Sequence, residues 1–344
     1  MTQLIRSPAV AATTSRLPWM DAVRGTAILL LLVWHASSIP TLFGFPMPDG
    51  IRLANAFFRP YRMPALMFLS GMLLAKSLAK PLPTYYARKL GAIFWPYLVW
   101  MLIARALIID TDRMPWWDWR SWYATSYLWF LFFIGVYYLA APLLHRLPKW
   151  APVAAAFVLG VLLPQGGVEQ RLAYFAVFFF AGHCLSTPRG ARLLASRVKP
   201  RACAIVGVLL GAASMVWTDP LAYNTWTAPL SLCGIWAIIH LYSQGSELGS
   251  NWRLRFLGRS SIVYYVCHFP IMMLLARALL PVMPVTAVVV ISLVTAIAGG
   301  TCLALVKNSV AFSWLFQCPQ TITQAVAGRW RALREAASRP TTQL

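Results

Sequence analysis

About ten times along this chain a run of roughly 18 to 24 mostly apolar residues ends in a cluster of proline, glycine or charge, and no water-soluble fold can bury that much apolar length. The runs fall near 22–42, 60–79, 86–108, 122–144, 150–164, 170–186, 202–218, 226–243, 258–280 and 284–306, the fifth being short. With 59% hydrophobic residues, 11% charged residues and a mean hydropathy of +0.63, 344 residues cannot close around one soluble core. The expected fold is therefore all-α and polytopic, a bundle of about ten transmembrane helices.

The net charge of +21 would suggest nucleic acid as a partner of a soluble protein, but its placement points elsewhere. Of 30 Lys and Arg, 22 lie in the N-terminal tail with the start of the first run, in the alternate connections near 76–89, 146–149, 189–201 and 253–259, and after Lys307. The opposite side holds the other eight together with six of the nine acids. By the positive-inside rule both termini are cytoplasmic, and an even number of crossings agrees. Residues 1–17 lack an apolar segment followed by a small-residue cleavage site, so they read as a short cytoplasmic tail without a signal peptide. Residues 18–316 form the membrane domain, and 317–344 form a basic, amphipathic cytoplasmic tail suited to anionic headgroups. The six cysteines show no CxxC pair or metal-type spacing and read as small core residues, so no metal and no nucleic acid is expected. Oligomeric state is not legible.

Within the first run, WMDAVRGTAILLLLVWH (19–35), Arg24 and His35 interrupt an otherwise apolar stretch. Eleven positions at 100° make three turns plus about 20°, so the two share one helix face about 16 Å apart. Ionisable groups inside a membrane helix are costly and mark a site by default, although Arg24 alone suits a boundary anchor and His35 alone a packing contact. The loop IDTDRMPWWDWRSW (109–122) reads as an interfacial tryptophan belt, or as a platform where flat rings beside carboxylates meet sugar.

Three further segments complete the pattern: FFRPYRMPALMFLSGMLLAKSL (57–78), YYARKLGAIFWPYLVW (85–100) and FLGRSSIVYYVCHFPIMMLL (256–275). Together with DAVRGTAILLLLVWH they resemble the bacterial acyltransferase-3 family, integral membrane enzymes that O-acylate sugars and glycolipids. The likeness runs from about residue 18 to 316. It rests on Arg24 and His35 in the first helix, the turn at Met67-Phe68-Leu69-Ser70-Gly71 and the basic pair Arg88-Lys89 ahead of Pro96-Tyr97. It also takes in Leu128-Trp129-Phe130-Leu131 and the late segment from Leu257-Gly258-Arg259-Ser260-Ser261 to Tyr265 and His268. Gly91 departs from the pattern, standing where relatives often carry another arginine.

The resemblance implies an acyl-CoA-dependent O-acyltransferase of the bacterial inner membrane, with no tightly bound cofactor and acetyl-CoA, or another acyl-CoA, as co-substrate. The acceptor is a glycan or glycolipid of the envelope. Counting along the helices puts His35 and His268 about 16–20 Å from the inner face and Ser70 in the same layer, with Arg24, Arg88, Lys89 and Arg259 at the inner boundary. His35 is the expected base, with a covalent acyl-histidine route left open, and Arg24 is grouped with it. Arg24, Arg88, Lys89 and Arg259 are expected to bind the phosphates of the donor. Asp21, Arg62, Ser70, Trp129, Tyr265 and His268 are expected in support, Asp21 either orienting Arg24 or marking the helix start. Plainer readings exist for each: helix packing for His268, close helix approach for Ser70-Gly71, topology anchors for the cations. His183 and His240 read as structural. The same features would suit a transporter or flippase of a lipid-linked sugar, or a non-catalytic subunit of an envelope-assembly complex.

Overall fold

The computed structural model describes residues 17–108, 115, 117–118, 122–123, 126–186, 199–319 and 324. Residues 1–16 of the expected N-terminal tail, most of the Trp-rich loop at 109–122, much of the basic connection at 189–201 and nearly all of the C-terminal tail lie outside these residues. The structure is all-helical, 80% helix, with no strand among the described residues. Its main helices are α1 (Pro18–Ser38), α2 (Asp49–Met72), α3 (Leu82–Leu107), α4 (Trp129–Leu144), α5 (Ala151–Leu162), α6 (Val168–Leu185), α7 (Pro200–Val216), α8 (Ala228–Ser243), α9 (Trp252–Arg259), α10 (Ser261–Leu279) and α11 (Val285–Val306).

Four helical segments are long and apolar enough to cross a membrane: Pro18–Phe43, which extends α1 through a 3-10 turn, then α3, α10 and α11. Helices α4, α5 and α7 are apolar but shorter. The twelve residues of α5 reach only about 18 Å, well short of a hydrocarbon core of roughly 30 Å. Outward-facing surfaces are greasy: Leu162 is 75% exposed, Val216 73% and Leu305 70%. Exposed apolar side chains on long apolar helices fit a membrane protein.

Helix α1 sits at the hub, packed against α2, α8, α9, α10 and α11. Its contact with α9 depends on two glycines. A Cβ on Gly25 would fall 1.9 Å from the Leu254 carbonyl oxygen, and one on Gly258 would fall 1.7 Å from that of Asp21. Helices α2 and α6 cross in the same reciprocal way at Gly71 and Gly182. These two crossings fix where α1 and α2 lie relative to their neighbours.

Two sequence-based segments change their bounds. Helix α2 starts at Asp49 instead of residue 60, running through Pro60 and Pro64 and ending at Met72. Proline is tolerated inside membrane helices because neighbours satisfy the freed carbonyls, so it is a poor boundary signal here. The late segment is not one helix from 258: α9 ends at Arg259, and α10 begins at Ser261 after a break at Ser260. Helix α3 contains a π-turn over Leu90–Phe94, and the Gly91 carbonyl accepts the Cys318 backbone N–H at 3.1 Å, tying the stretch after α11 to α3. Of the six cysteines, Cys203 and Cys267 are buried and Cys302 is exposed, so the core reading holds for two.

Candidate functional site

The first cluster forms where α2 ends. The Leu73 N–H bonds to the Ser70 carbonyl, three residues back, so the Leu69 carbonyl loses its usual i+4 donor. Arg24 of α1 takes its place, donating from Nη2 at 3.3 Å. A cation at a helix C-terminus is also favoured by the helix dipole. Beside it, the Tyr138 hydroxyl donates to the Ser70 carbonyl at 3.0 Å, and Tyr138 lies within electrostatic range of Arg24. The Lys89 ammonium sits 3.4 Å from the Tyr138 ring centroid and donates to Ser77 Oγ at 3.1 Å. Arg24 and Lys89 thus converge on one tyrosine, a residue the sequence did not single out.

Arg259 and Arg88 stand apart from that pair. The α1–α9 crossing brings Arg259 Nε to Asp21 Oδ2 at 3.2 Å, with Asp21 1% exposed. Asp21 therefore lies in the first turn of α1 as a partner of Arg259. Arg88 is exposed.

The second cluster lies about 16 Å further along α1, eleven residues at 1.5 Å each. There the rings of His35 and His268 meet, with centroids 5.0 Å apart and planes at 47°. His35 also packs edge-on against Phe269 at 5.2 Å and keeps partial exposure, whereas His268 is fully buried. His268 Nδ1 is 2.9 Å from the Tyr264 carbonyl oxygen. A carbonyl only accepts, so this contact assigns the proton to Nδ1 and leaves the Nε2 lone pair of a neutral ring for other use. Among the described residues Nε2 has no hydrogen-bond partner.

Pro270 explains how this wall is held. It has no N–H for the Val266 carbonyl, and the Tyr127 hydroxyl supplies the missing bond at 2.9 Å. Tyr265 returns the interaction, its hydroxyl donating to the Tyr127 carbonyl. Tyr127 then stacks on Phe269 at 4.8 Å with planes 9° apart. Tyr265 is thus a brace that fixes the His268 turn.

Arg62 joins the histidines and Ser70 does not. Because α2 starts at Asp49, Ser70 falls near its far end; its hydroxyl bonds back to the Leu66 carbonyl at 2.7 Å, in the Arg24 cluster. Two turns earlier, Arg62 reaches the His35 level, its guanidinium 4.7 Å from the Trp34 ring and within electrostatic range of His35. Trp129 packs against Phe175 at 4.8 Å, with planes tilted by 34°, and carries Arg171 over its ring at the same distance. Arg171 and Tyr223 were not singled out by the sequence, since an arginine at the first turn of a predicted span looks like any other boundary charge.

The arrangement offers cations at one depth, and at another a pair of imidazoles, one with an unpartnered nitrogen, in a largely apolar cage. Among the described residues no cluster of three or more His, Cys, Asp or Glu is placed to hold a metal ion.

The chain matches a family model described as an acyltransferase domain, over residues 17–305. No curated protein and no solved structure matches the chain. The matched region holds both clusters and all the helices except the last residue of α11.

Proposed function

Since the chain belongs to the acyltransferase-3 family and is a membrane acyltransferase, we propose that it moves an acyl group, acetyl by default, from acyl-CoA to a hydroxyl of an envelope glycan or glycolipid. The observation that carries this reading is the contact between His35 and His268 at 5.0 Å, about 16 Å along α1 from the Arg24–Lys89 cluster. Acyl transfer needs a base where the acceptor hydroxyl arrives and cations where a phosphorylated carrier docks, and the two clusters supply these separately.

On this reading His35 takes the acceptor hydroxyl proton as the oxygen attacks the thioester carbonyl carbon. The resulting oxyanion collapses with cleavage of the carbon–sulfur bond. His35 then returns the proton to the departing thiolate, leaving an ester and free coenzyme A. His268, its tautomer set by Tyr264, positions His35. Arg62 faces the developing oxyanion. Arg24 and Lys89 hold the donor's phosphates, with Arg88 at the rim, and Arg259 supports the same end through Asp21.

The ten main helices other than α9 follow the ten expected spans in order, and seven of them lie in apolar segments, which supports ten crossings with both termini cytoplasmic, in a bacterial inner membrane. Under that orientation donor enters from the cytoplasm and product appears outside. Coenzyme A cannot cross hydrocarbon unaided because its phosphates would lose hydration without compensation.

Sealed proteoliposomes of known orientation test the proposal. Acetyl-CoA supplied on the side of the N-terminal tail should acylate acceptor supplied on the opposite side and release free coenzyme A. A flippase would release none. Transfer that requires both substrates on the tail side would refute the layered arrangement.

A further inference from the structure

Arg62, beside the histidines, and Arg171, over Trp129, each carry buried guanidinium nitrogens without a partner among the described residues. Arg62 is 3% exposed, and its Nε and Nη1 have no hydrogen-bond partner among the described residues. Arg171 Nε is likewise buried and unpartnered. Both guanidiniums approach one side chain: Arg171 lies 5.3 Å from the Tyr223 ring, and Arg62 interacts with the same tyrosine. Tyr223 is held in the left-handed region, at φ 53°, while Gln170 donates to its carbonyl and to Thr225 Oγ1, each at 3.0 Å. A bulky residue rarely stays in that conformation unless its surroundings impose it.

Stacking shows what is missing. Arg62 lies over Trp34 at 4.7 Å and Arg171 over Trp129 at 4.8 Å. An indole satisfies the face of a guanidinium but leaves the N–H groups in its plane unpaired. Those edge donors match the paired oxygens of a carboxylate or phosphate. The ion pairs of Arg52 with Asp49 and of Arg259 with Asp21 lie elsewhere.

We propose, resting on the acyl-transfer reading above, that Arg62 and Arg171 bind an oxyanion carried by the acceptor, a carboxylate or phosphate ester close to the hydroxyl that is acylated. The acceptor is then an anionic glycan. The donor's own phosphates have the Arg24–Lys89 cluster, about 16 Å away along α1, and the arm that reaches His35 carries no charge there. An anion pinned at Arg62 sets a neighbouring hydroxyl beside His35.

The test uses the purified full-length protein. Calorimetric titration with methyl glucuronide and with inorganic phosphate should show saturable binding, while methyl glucoside at equal concentration should bind at least about tenfold more weakly. Arg171→Gln and Arg62→Gln should each abolish that difference, and Arg171→Lys should restore part of it. In transfer assays with acetyl-CoA, the kcat/KM ratio of glucuronide to glucoside should exceed about ten and fall toward one in the glutamine variants. Equal binding of the charged and neutral sugars by the parent protein would overturn the site, whatever the variants do. A preference for succinyl-CoA over acetyl-CoA on the neutral glucoside, lost in the variants, would overturn the assignment to the acceptor and move the anion to the acyl group. Saturable anion binding without transfer from any donor would uphold the site and refute acyl transfer.

Discussion

Replacing His35 with alanine removes an imidazole that touches His268 at 5.0 Å and Phe269 at 5.2 Å between ring centroids. Two losses follow, and their sizes separate the readings. As packing, the ring contributes one edge-on aromatic contact, worth about 0.5–1.5 kcal/mol, and it is partly exposed already. As a general base it contributes a factor of about 10² to 10⁴, or roughly 3–5 kcal/mol of barrier at about 1.36 kcal/mol per tenfold. The expected result is therefore a protein that inserts, purifies and melts within a few degrees of the parent, yet releases coenzyme A from acetyl-CoA and acceptor at least about a hundredfold more slowly. Release is followed with a thiol reagent under saturating substrates, and folding by thermal unfolding in detergent. His35→Gln sharpens the comparison, since it restores polarity and most of the volume but carries no basic nitrogen. It should be as inactive as the alanine variant. Activity within about fivefold of the parent in a folded alanine variant, or recovery in the glutamine variant, would refute the assignment of His35 as base.

Arg24→Ala should raise the Kd for acyl-CoA by about tenfold or more, and Arg24→Lys should recover only part of it because the fork geometry is lost. Arg88→Ala, at an exposed position, should weaken donor binding only about threefold and the effect should fade at high salt. Donor affinity unchanged in all three would return these residues to topology anchors. Gly258→Ala tests the helix crossing, because a Cβ now 1.7 Å from the Asp21 carbonyl oxygen must retreat to at least 3.0 Å. The variant should lose about 1–3 kcal/mol of stability. It should also lose the Asp21–Arg259 contact, which a lowered melting point together with a lower affinity for acyl-CoA would register.

What the sequence determined by itself is local. Apolar runs of membrane length gave the all-α class and the order of the helices, because a helix in lipid must satisfy its backbone internally and its composition alone reveals that. Helical periodicity put Arg24 and His35 on one face, and the short motifs around them led to the family. Which partners those groups meet was decided only by the tertiary structure. Asp21 faces Arg259, 238 residues away, because Gly25 and Gly258 let α1 and α9 approach to backbone contact. Ser70 sits with Arg24 instead of the histidines because α2 runs unbroken through two prolines from Asp49, a start that hydropathy does not mark. Arg171 reaches Tyr223 across a loop and two helices for the same kind of reason. Periodicity fixes which residues share a face of one helix, but the depth and rotation at which faces meet come from crossings between segments far apart in the chain, and no local pattern encodes them.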